Sequence, residues 1–215
     1  MSSSLFPTTE LERSLGARYV IGIDEVGRGA VAGPVAVGAF VLDIETLATS
    51  AFPAKLQDSK LMTAKSRDSA FEELATWTPG FAVGMVDAKA IDAKGIIDSL
   101  SSAAVLALEQ LREKVDLQQA HILLDGTHNW LSSVVSRIPV TVRAKADRDC
   151  ASVSAAAVMA KVTRDRLMVE LSETYPTYGF EKHKGYASPT HIAALKSDGP
   201  SEIHRVSWLT RILEA

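Results

Sequence analysis

Tyr19-Val-Ile-Gly-Ile-Asp-Glu-Val-Gly-Arg-Gly29 is an apolar run that ends in two adjacent carboxylates, followed by two glycines around an arginine. Charges are rarely buried unless they are paired or bound to metal, so Asp24 and Glu25 at the end of such a strand suggest a cation site. The other reading is a strand that runs out into a solvated turn. Gly27 and Gly29 favour the cation site, because glycine lets a backbone approach a ligand closely, and Arg28 between them has the reach to meet a phosphate. Alternation sets a limit. In a regular strand Asp24 and Glu25 face opposite sides, so both serve one site only if the chain turns at Val26-Gly27.

The pattern recurs along the chain. His121-Ile-Leu-Leu-Asp125-Gly126 is a second short apolar run ending in an acid and a glycine, and Val140-Thr-Val-Arg-Ala-Lys-Ala-Asp147 places a third acid just past another. Ligands of open α/β sheets sit outside the carboxyl ends of the strands, so these runs would converge their acids on one spot. Hard oxygen donors without a Cys/His cluster favour magnesium or manganese over zinc. Two such ions about 4 Å apart clamp the attacking and leaving oxygens of a phosphodiester, which points to metal-dependent phosphoryl transfer. Asp149, two residues on, has nearly the same claim as Asp147 on physical grounds alone; its other reading is a cap or dipole partner of the helix that follows.

Short apolar runs alternate with longer amphipathic ones, which places the chain in the α/β class. Strands are expected at 19–25, 34–42, 81–87, 120–125 and 138–143, and helices over 63–76 and 96–114. From about residue 151 the pattern turns helical; Pro176 breaks it, and Ser188-Pro-Thr190 starts another helix through Leu195 with proline in its first turn. No internal repeat or low-complexity linker marks a boundary, so a single domain is expected over 18–215, after an N-terminal tail of residues 1–17 and including a helical C-terminal part. A hydrophobic content of 47% is ample for its core. Cys150, the single cysteine, cannot form an internal disulfide and reads as a small buried hydrophobe. The longest apolar stretch, Val31 to Leu42, spans about 12 residues and is too short to cross a bilayer. With no basic region followed by an apolar stretch at the N-terminus, a cytoplasmic location is expected. The formal charge of −3 argues mildly against a nucleic-acid binder, but it divides into −5 over residues 1–140 and +2 over 141–215. Four of the five histidines also lie from residue 128 onward, so the C-terminal part is the expected backbone-contacting face.

Several motifs in one order carry a family resemblance: Gly22-Ile-Asp-Glu-Val-Gly-Arg-Gly29, Asp58-Ser-Lys60, Leu124-Asp-Gly126, Lys145-Ala-Asp147, Ala160-Lys-Val-Thr-Arg-Asp165, His183-Lys-Gly-Tyr186 and His204-Arg205. Over about residues 18 to 210 the chain resembles bacterial type-2 ribonuclease H, ribonuclease HII. The resemblance implies a ribonuclease H-like mixed sheet flanked by helices with a helical C-terminal extension. It implies an endonuclease that cuts the RNA strand of RNA–DNA hybrids, and cuts 5′ to a single ribonucleotide in duplex DNA, leaving 3′-hydroxyl and 5′-phosphate ends. Its catalytic and metal-binding set would be Asp24, Glu25, Asp125 and Asp147 with two divalent ions, Mg²⁺ or Mn²⁺. The family's Lys-Gly-Asp pattern selects Asp147 over Asp149, although Ala146 stands where the glycine is usual. Gly27, Arg28, Gly29, Lys60, Lys161 and Lys184 would contact substrate, and Tyr186 would stack on the sugar at the cleavage junction. Lys161 has the other reading of a stem lying along its helix, Arg164 and Asp165 that of structural residues, and His183 that of a satisfied structural histidine. The expected partner is nucleic acid, with no membrane, and the expected state a monomer. Two rivals remain: another nuclease or resolvase of the same ribonuclease H fold, and a non-catalytic hybrid-binding module.

Overall fold

The computed structural model describes residues 6–53, 56 and 62–214. After a short helix α1 (Glu10–Ser14), strand β1 (Tyr19–Val26) runs up the middle of a five-stranded sheet. Val20, Ile21 and Ile23 are fully buried, as their apolar character requires of a strand covered on both faces. β2 (Val35–Asp43) returns antiparallel to β1, with Ile23 opposite Ala39 and Val26 opposite Ala36. A single turn α2 (Thr46–Thr49) and helix α3 (Ala64–Trp77) lead to β3 (Phe81–Val86), antiparallel to β2. Helices α4 (Ala88–Lys94) and α5 (Ile96–Leu111) then cross back to β4 (Ala120–Asp125), and β5 (Val140–Arg143) follows. Both last strands run parallel to β1, in the order β3-β2-β1-β4-β5. One turn of helix, α6 (Ala146–Asp149), precedes the long α7 (Ala151–Thr174), and α8 (Phe180–His183), α9 (Pro189–Asp198) and α10 (Thr210–Leu213) complete the chain.

The sheet's alternation sorts the core into two layers. Ile21, Ile23, Val37 and Val41 pack with Leu100, Ala104 and Leu111 of α5, and Phe40 packs with Ala155, Val158 and Met159 of α7. The α7 face is unusually close because the strands present glycine there: a Cβ on Gly22 would stand 2.2 Å from the Ser152 carbonyl carbon, and one on Gly38 2.3 Å from the Ala156 oxygen. A third layer, of Val31, Ala32, Met168, Tyr178, Phe180, Leu195 and Leu209, clamps the β1–β2 connection under the C-terminal helices.

The expected strands and both longer helices form within a few residues of their sequence-read limits, and the mixed sheet with its helical extension is the architecture observed. α4 is an addition, with Asp87 capping it through the Ala90 N–H at 2.7 Å and Gly95 ending it at φ 81°. The last expected strand starts only at Val140, and the helix expected over 96–114 stops at Leu111. The stretch expected to be a tail, residues 1–17, is from Phe6 onward part of the packed body. Thr8 bridges Cys150, and the fully buried Glu12 accepts the Ser152 N–H at 2.8 Å and its hydroxyl at 2.9 Å, satisfying the start of α7. Burial raises the Glu12 pKa, and Cys150 beside it is pushed up to about 12, chiefly by its own burial and then by Glu12, as befits an inert packing residue. Among the described residues no helix is long and apolar enough to cross a membrane.

Candidate active site

β1 and β4 are parallel neighbours whose last paired residues are Ile23 and Leu124, so Asp24 and Asp125 leave the sheet side by side at the carboxyl edge. Adjacent strands stand about 4.8 Å apart, which brings two carboxylates within each other's field. Asp147 arrives from β5 by a tight reversal in which Lys145 takes a left-handed conformation, φ 62°. Asp125 holds that reversal in place: its Oδ1 accepts the Ala146 N–H at 2.7 Å and the Asp147 N–H at 3.4 Å. One aspartate thus positions the backbone that carries the next.

The electrostatics record the convergence. Asp24 keeps an accessible edge, yet burial of its carboxyl, and then the charges of Glu25, Asp125 and Asp147, push its pKa well above the usual carboxylate range. Asp125 is raised by burial and next by Asp147, against the pull of the N–H groups it accepts. β1 remains regular through Val26 and turns only at Gly27, φ 77°. The turn falls within the Val26-Gly27 step that a shared site requires, and Glu25, the strongest of the charges acting on Asp24, accepts Arg28 Nη1 at 3.1 Å. Among the described residues no three His, Cys, Asp or Glu side chains enclose a common point as they stand. The donor set is all carboxylate oxygen, crowded and mutually repelling, which suits a hard divalent cation and not zinc.

Asp149 belongs to a different cluster. It pairs with Arg148 at 2.9 Å and Arg143 at 3.2 Å, which hold its pKa below the usual range, Arg148 foremost. It does not cap α7, whose start has no side-chain cap of its own, and its charge does not figure among those acting on Asp24.

The glycine motif has a structural tenant. A Cβ on Gly27 would lie 2.2 Å from Arg164 Nε, so this position is kept bare by a buried guanidinium, where a ligand had been expected. Arg164 donates from Nε to the Pro34 carbonyl at 2.8 Å, from Nη1 to Lys184 at 2.9 Å and from Nη2 to Ala32 at 3.1 Å. Arg205, equally buried, donates to the carbonyls of Gly27 at 2.7 Å, Arg28 at 2.9 Å and Gly33 at 3.2 Å. Together they freeze the connection after β1 against the loop that carries Tyr186. Gly29 is exposed in open space, and Arg28 extends outward beside it. Tyr186 is 38% exposed, and Arg164 lies 5.7 Å from the centre of its ring.

The remaining substrate candidates divide. Lys161 is drawn to Asp165 at 2.7 Å, and Lys184, left-handed at φ 52°, donates to the Glu181 carbonyl. Both line a surface groove of about 580 Å³ with Arg67, Arg166 and Lys182. Lys60 lies outside the described residues. The expected basic C-terminal face is thinner than its sequence charge suggests. Arg164 and Arg205 are buried as scaffold, and His191 and His204 are buried with lowered pKa values, mainly through desolvation. Arg205 is the functional residue whose role the sequence left unread; the His204-Arg205 motif flagged its place without saying what it does.

The sequence profile of the ribonuclease HII family matches residues 21–211. Ribonuclease HII of Streptomyces avermitilis is 43% identical over 208 residues, spanning 94% of this chain and 83% of that protein. The crystal structure of ribonuclease H2 from Pyrococcus horikoshii superposes with a TM-score of 0.72 at 30% identity, over 91% of this chain and 97% of that one. The structure of Bst-RNase HIII in complex with Mn²⁺ shares the fold at a TM-score of 0.64 and 18% identity, over 94% of this chain and 71% of that one.

Proposed function

The chain belongs to the ribonuclease HII family, endoribonucleases of RNA–DNA hybrids, and from that premise we propose that it also cuts 5′ to single ribonucleotides in duplex DNA, with Asp24, Glu25, Asp125 and Asp147 as the site of two divalent ions. The observation that carries the reading is the desolvated Asp24 carboxylate pressed by three other acids at the carboxyl edge of the sheet. Such crowding is unfavourable for a bare fold and is retained where a cation resolves it. Mg²⁺ or Mn²⁺ bound there supplies an activated water and charge stabilisation for the departing 3′ oxygen.

The chain's own residues do the rest. Asp125 fixes the turn that carries Asp147, so these two oxygens are pre-placed. Glu25 joins them by leaving Arg28, and the guanidinium so released is free for a backbone phosphate beside the open Gly29. Tyr186 offers an exposed ring face for the junction sugar, backed by Arg164. The 2′-hydroxyl is the one group that tells ribose from deoxyribose, and in this reading the Gly27–Gly29 backbone with Tyr186 is what reads it. Lys161 and Lys184, which line one surface groove, are the phosphate contacts in this reading, exchanged from Asp165 and the Glu181 carbonyl.

The test is direct: incubate the protein with Mg²⁺ or Mn²⁺ and a labelled duplex carrying one ribonucleotide, and map the cut. Cleavage 5′ to the ribose with a 3′-hydroxyl product supports the reading. Cutting of an all-DNA duplex or a four-way junction at a comparable rate would transfer the chain to the resolvase-like alternative, and binding without cutting to a hybrid-binding module.

A further inference from the structure

Behind Tyr186 lies a chain of three histidines, two of them buried, that the cleavage chemistry does not use. Their protons can be assigned one by one, since a backbone N–H only donates and a carbonyl only accepts. The Gly185 N–H donates to His183 Nδ1 at 3.2 Å, so the His183 proton is on Nε2, donated to the Tyr178 carbonyl at 2.7 Å. The Ser201 N–H donates to His204 Nδ1 at 2.9 Å, which puts that ring's proton on Nε2 as well. His191 faces the Tyr186 carbonyl with Nδ1 at 2.9 Å and so carries its proton there; its bare Nε2 accepts His204 Nε2–H at 2.9 Å. Every ring nitrogen of the three is engaged, His204 Nδ1 also by the Ser201 hydroxyl at 2.8 Å, and each ring has one donating and one accepting nitrogen.

The chain leads to one atom, the Tyr186 carbonyl, and its surroundings permit little drift. His183 and His191 stack at 4.4 Å and 12°, Tyr178 closes on His204 at 4.7 Å, and Phe180 meets His191 edge-on at 5.4 Å. His191 is 0% exposed and His204 2%. The backbone on the other side is a pair of left-handed residues, Lys184 at φ 52° and Gly185 at φ 85°. A loop in that conformation persists only where its neighbours over-determine it.

We propose that His191, oriented by His204 and stacked on His183, is a positioning residue that fixes Tyr186 for its contact with the junction sugar. The proposal rests on the reading of Tyr186 given under Proposed function. His191 touches no substrate; it acts through the tyrosine.

A double-mutant cycle tests it, with kcat/KM measured on a duplex carrying one ribonucleotide. His191→Phe keeps the volume and loses the donor, and is expected to lower kcat/KM about tenfold, while in a Tyr186→Ala background the same change costs less than about twofold, because nothing remains to position. His191→Asn places its amide nitrogen as many bonds from Cα as Nδ1, and should return the rate to within about threefold of wild type. Losses that multiply in the double variant, or a His191→Phe enzyme at wild-type rate while Tyr186→Ala is slow, would overturn the positioning role and leave the tyrosine's role standing. A Tyr186→Ala enzyme at wild-type rate would sink both. Should His191→Phe fail to fold, ¹⁵N-histidine spectra of the unaltered protein decide: the Nδ1–H form at His191 with Nε2–H at His183 and His204 supports the proposal, and the Nε2–H form at His191 overturns it.

Discussion

Asp24→Asn should make the metal-free protein more stable while abolishing cleavage. The carboxylate is desolvated and lies in the field of Glu25, Asp125 and Asp147, and the amide removes the charge at nearly constant volume. Like charges about 5 Å apart in an effective dielectric of about 20 repel by about 3 kcal/mol; allowing for its accessible edge and for salt, we expect a net gain of about 1–2 kcal/mol. For a chain of this size that is a rise in Tm of about 3–6 °C. The assay is thermal unfolding at pH 8 in EDTA, repeated with Mn²⁺. Mn²⁺ should raise Tm in the wild type by mass action and raise it much less in the variant. The sign with pH follows from the raised folded-state pKa: Asp24 weakens the fold most when ionised, and as pH falls through that pKa a proton relieves the repulsion as the amide does. The gap between variant and wild type should therefore close on acidification. A variant less stable than wild type in EDTA, or one with an undiminished Mn²⁺ shift, would refute the reasoning.

Asp125→Asn should lower cleavage by orders of magnitude with hybrid binding retained, whereas Asp149→Asn, which removes only exposed pairs with Arg143 and Arg148, should leave more than about half the rate; the reverse order in a cleavage assay would move the site to the wrong aspartate. Gly27→Ala should destabilise by about 2–3 kcal/mol, through its positive φ and the clash with Arg164, while Gly29→Ala, in open space, should change the denaturation midpoint negligibly; equal effects would contradict the clamp. Burial lowers the His204 pKa to about 4, so its neutral form supports the fold fully above the unfolded value near 6.5 and that support is lost as pH falls toward 4. His204→Gln keeps a donor at the Nε2 position and cannot titrate, so chemical denaturation should find its stability falling less than the wild type's between those pH values.

The sheet was legible because its signal is local. The runs 19–25, 34–42, 81–87 and 120–125 carry their own apolar character, and each forms a strand within a residue or two. Convergence of the acids was legible for a related reason: Asp24 and Asp125 sit at the ends of neighbouring parallel strands, so topology alone brings them together. The side that each acid faces was only half legible. Alternation made a shared site for Asp24 and Glu25 conditional on a turn at Val26-Gly27, and the strand stays regular through Val26 and turns at Gly27. The choice between Asp147 and Asp149 was beyond local chemistry, because both are acids on one helical turn. The structure gives them different surroundings, with Arg143 and Arg148 next to Asp149 and the Asp125 carboxylate holding the backbone of Asp147.

What stayed illegible was the fate of the carbonyls after β1. Between Gly27 and Pro34 the chain leaves the sheet and must satisfy several buried oxygens without a ladder partner. Apart from Arg28, whose guanidinium turns to Glu25, composition shows only small or apolar residues there, which neither supply side-chain donors nor indicate where donors come from. The answer lies far along the chain: Arg164 and Arg205 take the carbonyls of Gly27, Arg28, Ala32, Gly33 and Pro34, and Arg164 adds that of Lys184. Arginine suits this duty because its planar fork presents five donors at fixed angles and remains charged when buried. The same demand explains Gly27, since the guanidinium occupies the space a side chain would need. A glycine that reads as room for a ligand is thus room for a scaffold residue, and what the motif leaves at the surface is Arg28 and Gly29, while the same Arg164 underlies the Tyr186 ring.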